Sequence, residues 1–199
     1  GADSLTGGAG ADSISAGDDN DTIVGAQDDA LLDGGVGSDV LQLGTNFDDV
    51  SDAQLVGIET LTLSAGGLAL SLADQSEGFL ITGFTATAAS IRGGAGADTL
   101  QVSGNYAPAA DANLLGVEQI VVADNTAAVA LDLSKQTEAF KVILSNLGDT
   151  MAVGSAFGTI SGGTGKDTLR LSSSFTLVAD TTLQGVESIV VADNTAAVT

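Results

Sequence analysis

The sequence contains no cysteine and no histidine among its 199 residues. Without cysteine the chain cannot form a disulfide framework or use thiol chemistry. It also lacks the usual ligands of zinc sites and the base of Ser-His-Asp or Cys-His catalysis. Phosphate-binding glycine loops and EF-hand loops are not matched either. We therefore expect this chain not to be an enzyme.

Basic residues are scarce, since five Lys and Arg stand against 26 Asp and Glu, giving a formal net charge of −21. Nucleic acids and anionic membranes reward basic surfaces, so neither is an expected partner. No uninterrupted apolar run is long enough for a transmembrane helix, which argues against membrane insertion. The chain is nevertheless 44% hydrophobic, too apolar for an acidic disordered tail. The composition indicates a folded acidic protein that favours cations.

Aspartate and glycine are the abundant residues. There are 21 Asp but only five Glu, together with 27 Gly and a single Pro. An acidic helix would favour Glu, because Asp is the poorer helix former. Asp and Gly belong together in turns, where a short carboxylate bonds locally and Gly adopts positive φ. The acidic charge is therefore expected in turns.

A nine-residue repeat fills the first 42 residues, and single copies recur later in the chain. Each unit is a Gly- and Asp-rich turn followed by a short strand with period-two alternation. Strands this short are stable when successive coils stack in parallel and bury one apolar row. The units are 7–15, 16–24, 25–33, 34–42, 93–101 and 162–170. The expected core positions are Leu5, Ile14, Ile23, Leu32, Leu41, Leu100 and Leu169.

A longer module occurs three times and starts at Gly34, Gly93 and Gly162, so the second spacing is longer than the first. After its GGxGxD turn each module carries an aromatic residue, an Asp, a Leu, a Gly-(Ile/Val)-Glu segment and an apolar strand. The modules are 34–92, 93–161 and 162–199. The aromatic residues, expected in the core, are Phe47, Tyr106 and Phe175. The aspartates, expected to cap single helical turns at 51–55, 110–114 and 179–183, are Asp52, Asp111 and Asp180.

One glutamate recurs at the same place in each module, as Glu59, Glu118 and Glu187. These glutamates either bond nearby amides as edge carboxylates, cap a turn, or add a metal ligand. Segments 71–79 and 132–140 are each expected to hold one further short turn.

The pattern GGxGxDxUx, with U a large aliphatic residue, resembles the hemolysin-type calcium-binding repeat of RTX proteins. Full copies stand at 7–15, 34–42, 93–101 and 162–170. The resemblance implies an all-β fold, a parallel β-roll or right-handed β-helix solenoid with calcium-binding turns. Residues 1–42 would form the nonapeptide β-roll, and residues 43–199 would continue it as a β-helix of long modules. The modules themselves resemble the β-strand repeats of bacterial S-layer proteins and large RTX surface proteins.

In the RTX family, Ca²⁺ lies between turns on the same edge and is bound by turn carbonyls and the sixth-position Asp. Every second turn lies on the same edge, so the edge of Asp3, Asp21 and Asp39 is expected to hold two ions. The other edge carries Asp12 and then Ala30, so its site is weak or absent unless Asp28 or Asp29 substitutes. The unit 16–24 has Asp19 in place of Gly, and Asp tolerates the left-handed backbone that this position needs.

The isolated turns 93–98 and 162–167 need a partner loop to hold an ion. The 34–39 turn would stack below them, and module loops such as those at Asp124 or Asp149 would supply ligands; otherwise these turns are glycine-rich β-helix corners with a solvated Asp. The metal-site residues that the resemblance implies are Asp3, Gly8, Gly10, Asp12, Asp19, Asp21, Gly35, Gly37, Asp39, Gly94, Gly96, Asp98, Gly163, Gly165 and Asp167.

The interpretation that combines these observations is a calcium-stabilised component of a bacterial surface layer. Calcium would mediate folding and lattice assembly, and the protein would be secreted to the cell surface by type I secretion. Its other partners would be further copies in a lattice, or surface polysaccharide bound by other parts of the chain. The alternatives are an adhesin stalk and the RTX domain of a secreted hydrolase with its catalytic domain elsewhere. The chain starts and ends within motifs, so a longer protein is expected.

Overall fold

The computed structural model describes residues 1–25, 27–84, 90–124, 127–154, 157–172 and 182–191. Every strand pair in these ranges is parallel, so the all-β parallel solenoid is confirmed. Each coil contributes one strand to a long sheet and returns through a strand of a smaller sheet. The coils differ in length, since Ser4 pairs with Thr22 in a short coil whereas Ile160 pairs with Leu183 in a longer one.

The long sheet runs through the whole solenoid. Its ten strands, in spatial order, are β1 (Ser4–Thr6), β3 (Thr22–Gly25), β5 (Val40–Leu43), β8 (Thr60–Leu63), β10 (Leu80–Phe84), β12 (Thr99–Val102), β14 (Gln119–Val122), β16 (Lys141–Ile143), β18 (Ile160–Ser161) and β20 (Leu183–Gln184).

Three small sheets follow one another on the returning side. The first contains β2 (Ser13–Asp18), β4 (Leu31–Val36) and β7 (Leu55–Val56). The second contains β6 (Phe47–Asp48), β9 (Ala69–Ser71), β11 (Ser90–Arg92) and β13 (Leu114–Leu115). The third contains β15 (Ala130–Leu133), β17 (Thr150–Val153), β19 (Thr168–Leu171) and β21 (Ser188–Val191).

The core is a set of stacked aliphatic rows, because alternate residues of every strand point inward. In the long sheet the inward row includes Ile23, Leu41, Leu61, Ile81, Leu100 and Ile120, each with no exposed surface. All seven core positions predicted from the repeats lie in the core, with Leu5 only partly buried. Each fully buried aliphatic side chain contributes about 1.5–3 kcal/mol of transfer free energy.

The module aromatics mark the places where one small sheet replaces another. Phe47 is buried and pairs with Leu70 at the start of the second small sheet, while Leu55 ends the first. Tyr106 repeats this role, forming a bridge to Leu131 at the start of the third small sheet. The prediction that both aromatic residues pack in the core is confirmed, and Phe175 lies outside the described residues.

The third module is rotated by half a coil relative to the first two. The strands that follow the turns at 34–39 and 93–98 are β5 and β12, which belong to the long sheet. The strand that follows the turn at 162–167 is β19, which belongs to the third small sheet. The spacing from Gly93 to Gly162 exceeds that from Gly34 to Gly93 by about half of a coil, and this excess moves the third corner to the other edge.

The predicted helical turns are only partly present. Residues Asp111–Asn113 form a 3₁₀ helix, but its N-cap, Ala110, makes no side-chain bond. Residues 51–55 contain a turn rather than a helix, with the Gln54 N–H donating to Ser51 O at 3.0 Å. Part of the third predicted turn, 179–181, lies outside the described residues. The short turns predicted in 71–79 and 132–140 are confirmed, since Gln75 and Gln136 donate backbone N–H groups back to the carbonyls of Leu72 and Leu133 at 3.0 Å.

The capping role predicted for Asp52 and Asp111 is wrong. The Asp52 carboxylate accepts the Ser76 backbone N–H at 2.7 Å, and the Asp111 carboxylate accepts that of Thr137 at 2.7 Å. Both acceptors thus serve the loop of the next coil, whose N–H groups have no strand partner. Asp180 lies outside the described residues.

Close stacking of the corners depends on glycine. A Cβ atom on Gly35 (φ +92°) would lie 2.0 Å from the Gly17 carbonyl oxygen of the coil below. Gly8 has a similar backbone (φ +100°), yet a Cβ there would meet no atom within 4 Å. Substituting each glycine in turn therefore distinguishes the free-energy cost of positive φ, which both share, from the cost of a clash with the coil below, which only Gly35 has.

We expect Gly35→Ala to destabilise the protein far more than Gly8→Ala. Both substitutions place alanine in a left-handed backbone, which costs about 1–2 kcal/mol. Gly35→Ala must also push two coils apart, which adds several kcal/mol of lost packing. Thermal unfolding in calcium measures the difference, and equal losses for the two variants would contradict this view of corner stacking.

Candidate metal centre

A line of carboxylates joins successive coils at the corner before each long-sheet strand. The Asp3 backbone N–H donates to Asp21 Oδ1 at 2.7 Å, and the Asp21 N–H donates to Asp39 Oδ1 at 2.7 Å. The Asp39 N–H donates in turn to Glu59 Oε2 at 2.7 Å. The predicted edge of Asp3, Asp21 and Asp39 is therefore assembled as a ladder of amide–carboxylate bonds.

The ladder exists because the corner residue has an amide that the sheet leaves unbonded. Its carbonyl already accepts an N–H of the next strand, as Asp3 O does from Thr22 and Asp21 O does from Val40, at 2.9 Å in both cases. Its own N–H lies before the strand and needs another acceptor. The carboxylate one coil above supplies it, and bonds of this charge-assisted kind are stronger than neutral ones.

The module glutamates make the same kind of bond, Glu59 and Glu118 on the long-sheet edge and Glu187 on the opposite edge. Glu118 Oε2 accepts the Asp98 N–H at 2.8 Å, and Glu187 Oε2 accepts the Asp167 N–H at 2.8 Å, as Glu59 does for Asp39. Of the alternatives for these glutamates, an edge carboxylate bonding an amide is the one observed, with the amide in the coil below. The sequence signal for this role was that a glutamate recurs one coil after each GGxGxD turn.

The opposite edge carries a ladder of its own. Asp149 Oδ1 accepts the Val129 N–H at 2.6 Å, and Asp167 Oδ1 accepts the Asp149 N–H at 2.7 Å. Asp149 lies outside any full nonapeptide, but it shares an Asp-Thr-aliphatic sequence with Asp98 and Asp167. That short pattern was the sequence signal for this corner.

The gap at Ala30 is filled by a neighbouring residue. Asp29 is buried, and its Oδ1 accepts the Asp12 N–H at 3.3 Å. Of the two substitutes considered, the structure places Asp29 on the ladder. The exposed residue Asp28 is not seen bonded to Asp12.

Several ladder carboxylates keep one oxygen unbonded although that oxygen is buried. Buried carboxyl oxygens without a hydrogen-bond partner cost free energy unless a cation or water reaches them. On the GGxGxD-type corners these atoms are the Oδ2 oxygens of Asp12, Asp21, Asp39 and Asp167.

Asp98 is different, although its turn has the same sequence pattern. Its Oδ1 accepts the Phe79 N–H at 2.9 Å and its Oδ2 accepts the Gly94 N–H at 3.0 Å. Asp149 is also closed, since Val129 bonds its Oδ1 while the Ser145 N–H and hydroxyl bond its Oδ2. The corners therefore divide into open ones, with a free carboxyl oxygen, and closed ones, without it.

The isolated turns do have partner loops. A Cβ on Gly94 or Gly96 would lie 2.3 Å from Gln75 O or 2.0 Å from Glu77 O, so the loop 72–78 lies beneath the 93–98 turn. Beneath the 162–167 turn lies the loop 145–149, because Gly163 and Gly165 approach the carbonyls of Ser145 and Leu147.

The prediction that the 34–39 turn stacks below the isolated turns is wrong. Of the two module loops expected to supply ligands, that of Asp149 lies beneath the 162–167 turn. The 34–39 turn stacks instead on the chain near Gly17 and Asp19. Asp124 is one coil further away, where its carboxylate accepts both the backbone N–H of Asn146 and its side-chain amide, at 2.7 and 3.0 Å.

The remaining predicted residues lie in the corner turns. Gly8, Gly10 and Gly35 have positive φ. Asp19 also has positive φ, at 82°, so the turn with Asp in place of Gly is retained, as expected. A Cβ on Gly37 would lie 2.1 Å from the Asp19 carbonyl oxygen, so carbonyls and carboxylates converge at this corner.

The open corners fit Ca²⁺. Within the described ranges no three acidic side chains gather into one metal-binding group, so an ion there must use backbone carbonyls as well as carboxylates. Calcium takes about 6–8 oxygen ligands and accepts such mixed sets. Asp21, Asp39 and Asp167 would hold it through their free Oδ2 oxygens, with the carbonyls of the glycine-rich turns.

Comparison with protein families identifies the repeats. Residues 1–32 and 88–104, about a quarter of the chain, match the family of the RTX calcium-binding nonapeptide repeat, in four copies. These two segments are RTX calcium-binding nonapeptide repeats, and repeats of this type form calcium-binding β-rolls. No curated protein and no solved structure matches the chain. Among the described residues, none of the helical structure is long and apolar enough to cross a membrane.

We expect Asp21→Asn to lower calcium affinity at least tenfold, equivalent to about 1.4 kcal/mol. Asparagine keeps the oxygen that accepts the Asp3 N–H but removes the charge at the open position. Isothermal titration with calcium measures the change.

Asp98→Asn is the matched control, because both oxygens of Asp98 already accept amides. Its calcium affinity should stay within about twofold, while one unpaired amide should cost about 1–3 kcal/mol of unfolding free energy. A loss of calcium affinity equal to that of Asp21→Asn would contradict the division into open and closed corners.

Burial raises the pKa of the Asp98 and Asp167 carboxyl groups above their ordinary value of 3.8. In the metal-free protein the folded state then keeps protons that the unfolded state has lost. Its stability should therefore fall as pH rises from about 4 through the raised values. With calcium bound at the open Asp167 corner, protons compete with the ion there, so stability should instead fall as pH drops. Thermal unfolding from pH 4 to about 7 in calcium and in calcium-free buffer measures the two slopes, and slopes of the same sign would disprove this coupling.

Proposed function

We propose that this chain is a calcium-stabilised structural component of a bacterial surface layer. The observation that carries the proposal is the pair of carboxylate ladders along one solenoid, in which open corners hold buried, unbonded carboxyl oxygens. Calcium at these corners would tie adjacent coils together and make a rigid rod. Rigid units of this kind suit a coat that covers a cell.

Bound calcium would also reduce the repulsion among the acidic side chains. A net charge of −21 on stacked coils is self-repelling, and each Ca²⁺ would neutralise two negative charges. Because the ion binds the folded chain, its binding free energy adds to folding free energy. RTX repeats are typical of bacterial proteins exported by type I secretion. The chain would leave the cell unfolded, where calcium is low, and fold outside, where calcium is high.

The surface supports a structural rather than an enzymatic role. Among the described residues, one groove contains Asp124, a second contains Asp48 and Arg92, and a third contains Lys141. None of these grooves brings together two carboxylates, as glycoside hydrolysis requires. The long modules also interrupt the nonapeptides, whereas a hydrolase domain more often carries an uninterrupted block of them.

Electron microscopy of the purified chain tests the surface-layer role. In millimolar calcium we expect ordered two-dimensional sheets, and in EGTA we expect these sheets to disperse. Light scattering of the same samples gives the mass of the soluble species. Monomeric rods that persist in calcium would overturn the proposal and would favour the adhesin stalk.

A further inference from the structure

Two loops outside the nonapeptide block stack directly on one another. The Asp74 backbone N–H donates to Asp49 Oδ2 at 2.8 Å. The Gln75 side-chain nitrogen Nε2 donates to Ser51 O at 2.9 Å and lies 3.4 Å from Asp49 Oδ2. We call the contact formed by Asp49 and Gln75 the 49–75 junction. It lies outside the residues that match the calcium-binding repeat, which are 1–32 and 88–104.

The 49–75 junction contains two buried oxygens that bond nothing. They are Asp49 Oδ1 and Gln75 Oε1. Asp49 is 6% exposed and Gln75 is 1% exposed, so bulk water does not solvate either side chain. Asp49 Oδ1 shares a carbon with Asp49 Oδ2, and Gln75 Oε1 shares a carbon with Gln75 Nε2. Because Oδ2 and Nε2 contact each other, both free oxygens lie at the same junction. A buried, unpaired acceptor destabilises the folded state, and an unpaired carboxylate does so more strongly.

Negative charge accumulates at the same place. Asp48, Asp52 and Asp74 flank Asp49 and Gln75 on the two loops. Burial raises the pKa of Asp49, and the charges of Asp74 and Asp48 raise it further. In the described part of the chain, no lysine or arginine forms an ion pair with any of these carboxylates. Arg92 lines the same groove as Asp48 without forming an ion pair, so no cationic side chain among the described residues pairs with the buried Asp49 carboxylate.

The fold itself orients the Gln75 side chain. Gln136 occupies the same place in a second copy of the turn, where its Nε2 donates to Ala110 O at 3.1 Å and its Oε1 is also buried and unbonded. Counting from the module aromatics, Pro108 stands where Asp49 would be. In both copies the backbone positions the glutamine amide oxygen. Only the first copy places a buried carboxylate, that of Asp49, beside it.

We propose that the 49–75 junction binds a divalent cation, namely Ca²⁺, with Asp49 Oδ1 and Gln75 Oε1 as ligands. Hard oxygen ligands and a local excess of negative charge select calcium over softer metals. Backbone carbonyls of the two loops and water complete the coordination. This site is independent of the surface-layer role and differs from the nonapeptide corners in using a glutamine amide.

Calcium counting with Asp49→Asn tests the site. The unchanged chain, Asp49→Asn and Asp48→Asn are each equilibrated with calcium chloride, and bound calcium is measured by mass spectrometry and isothermal titration. We expect Asp49→Asn to bind one ion fewer than the unchanged chain. Asp48→Asn removes the same charge from the adjacent exposed residue and should keep the full number. Equal ion counts for all three proteins would overturn the proposal, and a buried water would then explain the two oxygens.

Gln75→Glu provides a second test that does not depend on losing a ligand. With an ion at the junction, the added carboxylate is compensated, so the gain in Tm between EGTA and calcium should be larger than in the unchanged chain. Without an ion, two buried carboxylates repel each other in both conditions. An equal fall in Tm in EGTA and in calcium would therefore refute the site even if Asp49→Asn folds poorly.

Discussion

The bond between a corner amide and the carboxylate one coil above is the contact on which this solenoid depends. It satisfies the one backbone N–H that the parallel strands leave unbonded at each corner. It also stacks acidic side chains in rows along the solenoid axis, in a chain with a net charge of −21. The same contact thus fixes the register of successive coils and brings their negative charges close together. A cation is therefore needed where the second carboxyl oxygen of a corner Asp stays free.

The open and closed corners show how one motif gives two electrostatic outcomes. Asp167 and Asp98 both end GGxGxD turns, yet only Asp98 has a second amide, that of Gly94, on its free side. A closed corner is complete without an ion and holds a desolvated charge. An open corner would need a bound calcium ion to compensate its free carboxyl oxygen. With calcium bound as proposed, the protein would combine coils that stack by themselves with coils whose order follows the calcium concentration.

The architecture was predictable because it rests on local patterns. Period-two alternation located the inward rows, and the regular spacing of the nonapeptides placed Asp3, Asp21 and Asp39 on one edge. What lies beneath a corner was not predictable, because coils beyond the nonapeptide block differ in length and this length decides which loops meet. For that reason the 34–39 turn was a wrong partner for the isolated turns. Asp52 was likewise assigned to its own turn, although its acceptor role lies in the next coil.

The half-coil offset of the third module limits how such a chain can grow. An insertion that adds strands keeps the aliphatic rows inward only if its length is close to a whole or a half coil. The two module spacings, from Gly34 to Gly93 and from Gly93 to Gly162, obey this rule and differ by about one half coil. A duplicated module would therefore first have to have a length compatible with folding, before selection could act on its calcium-binding residues. Each surviving half-coil step places the next acidic corner on the opposite edge of the rod.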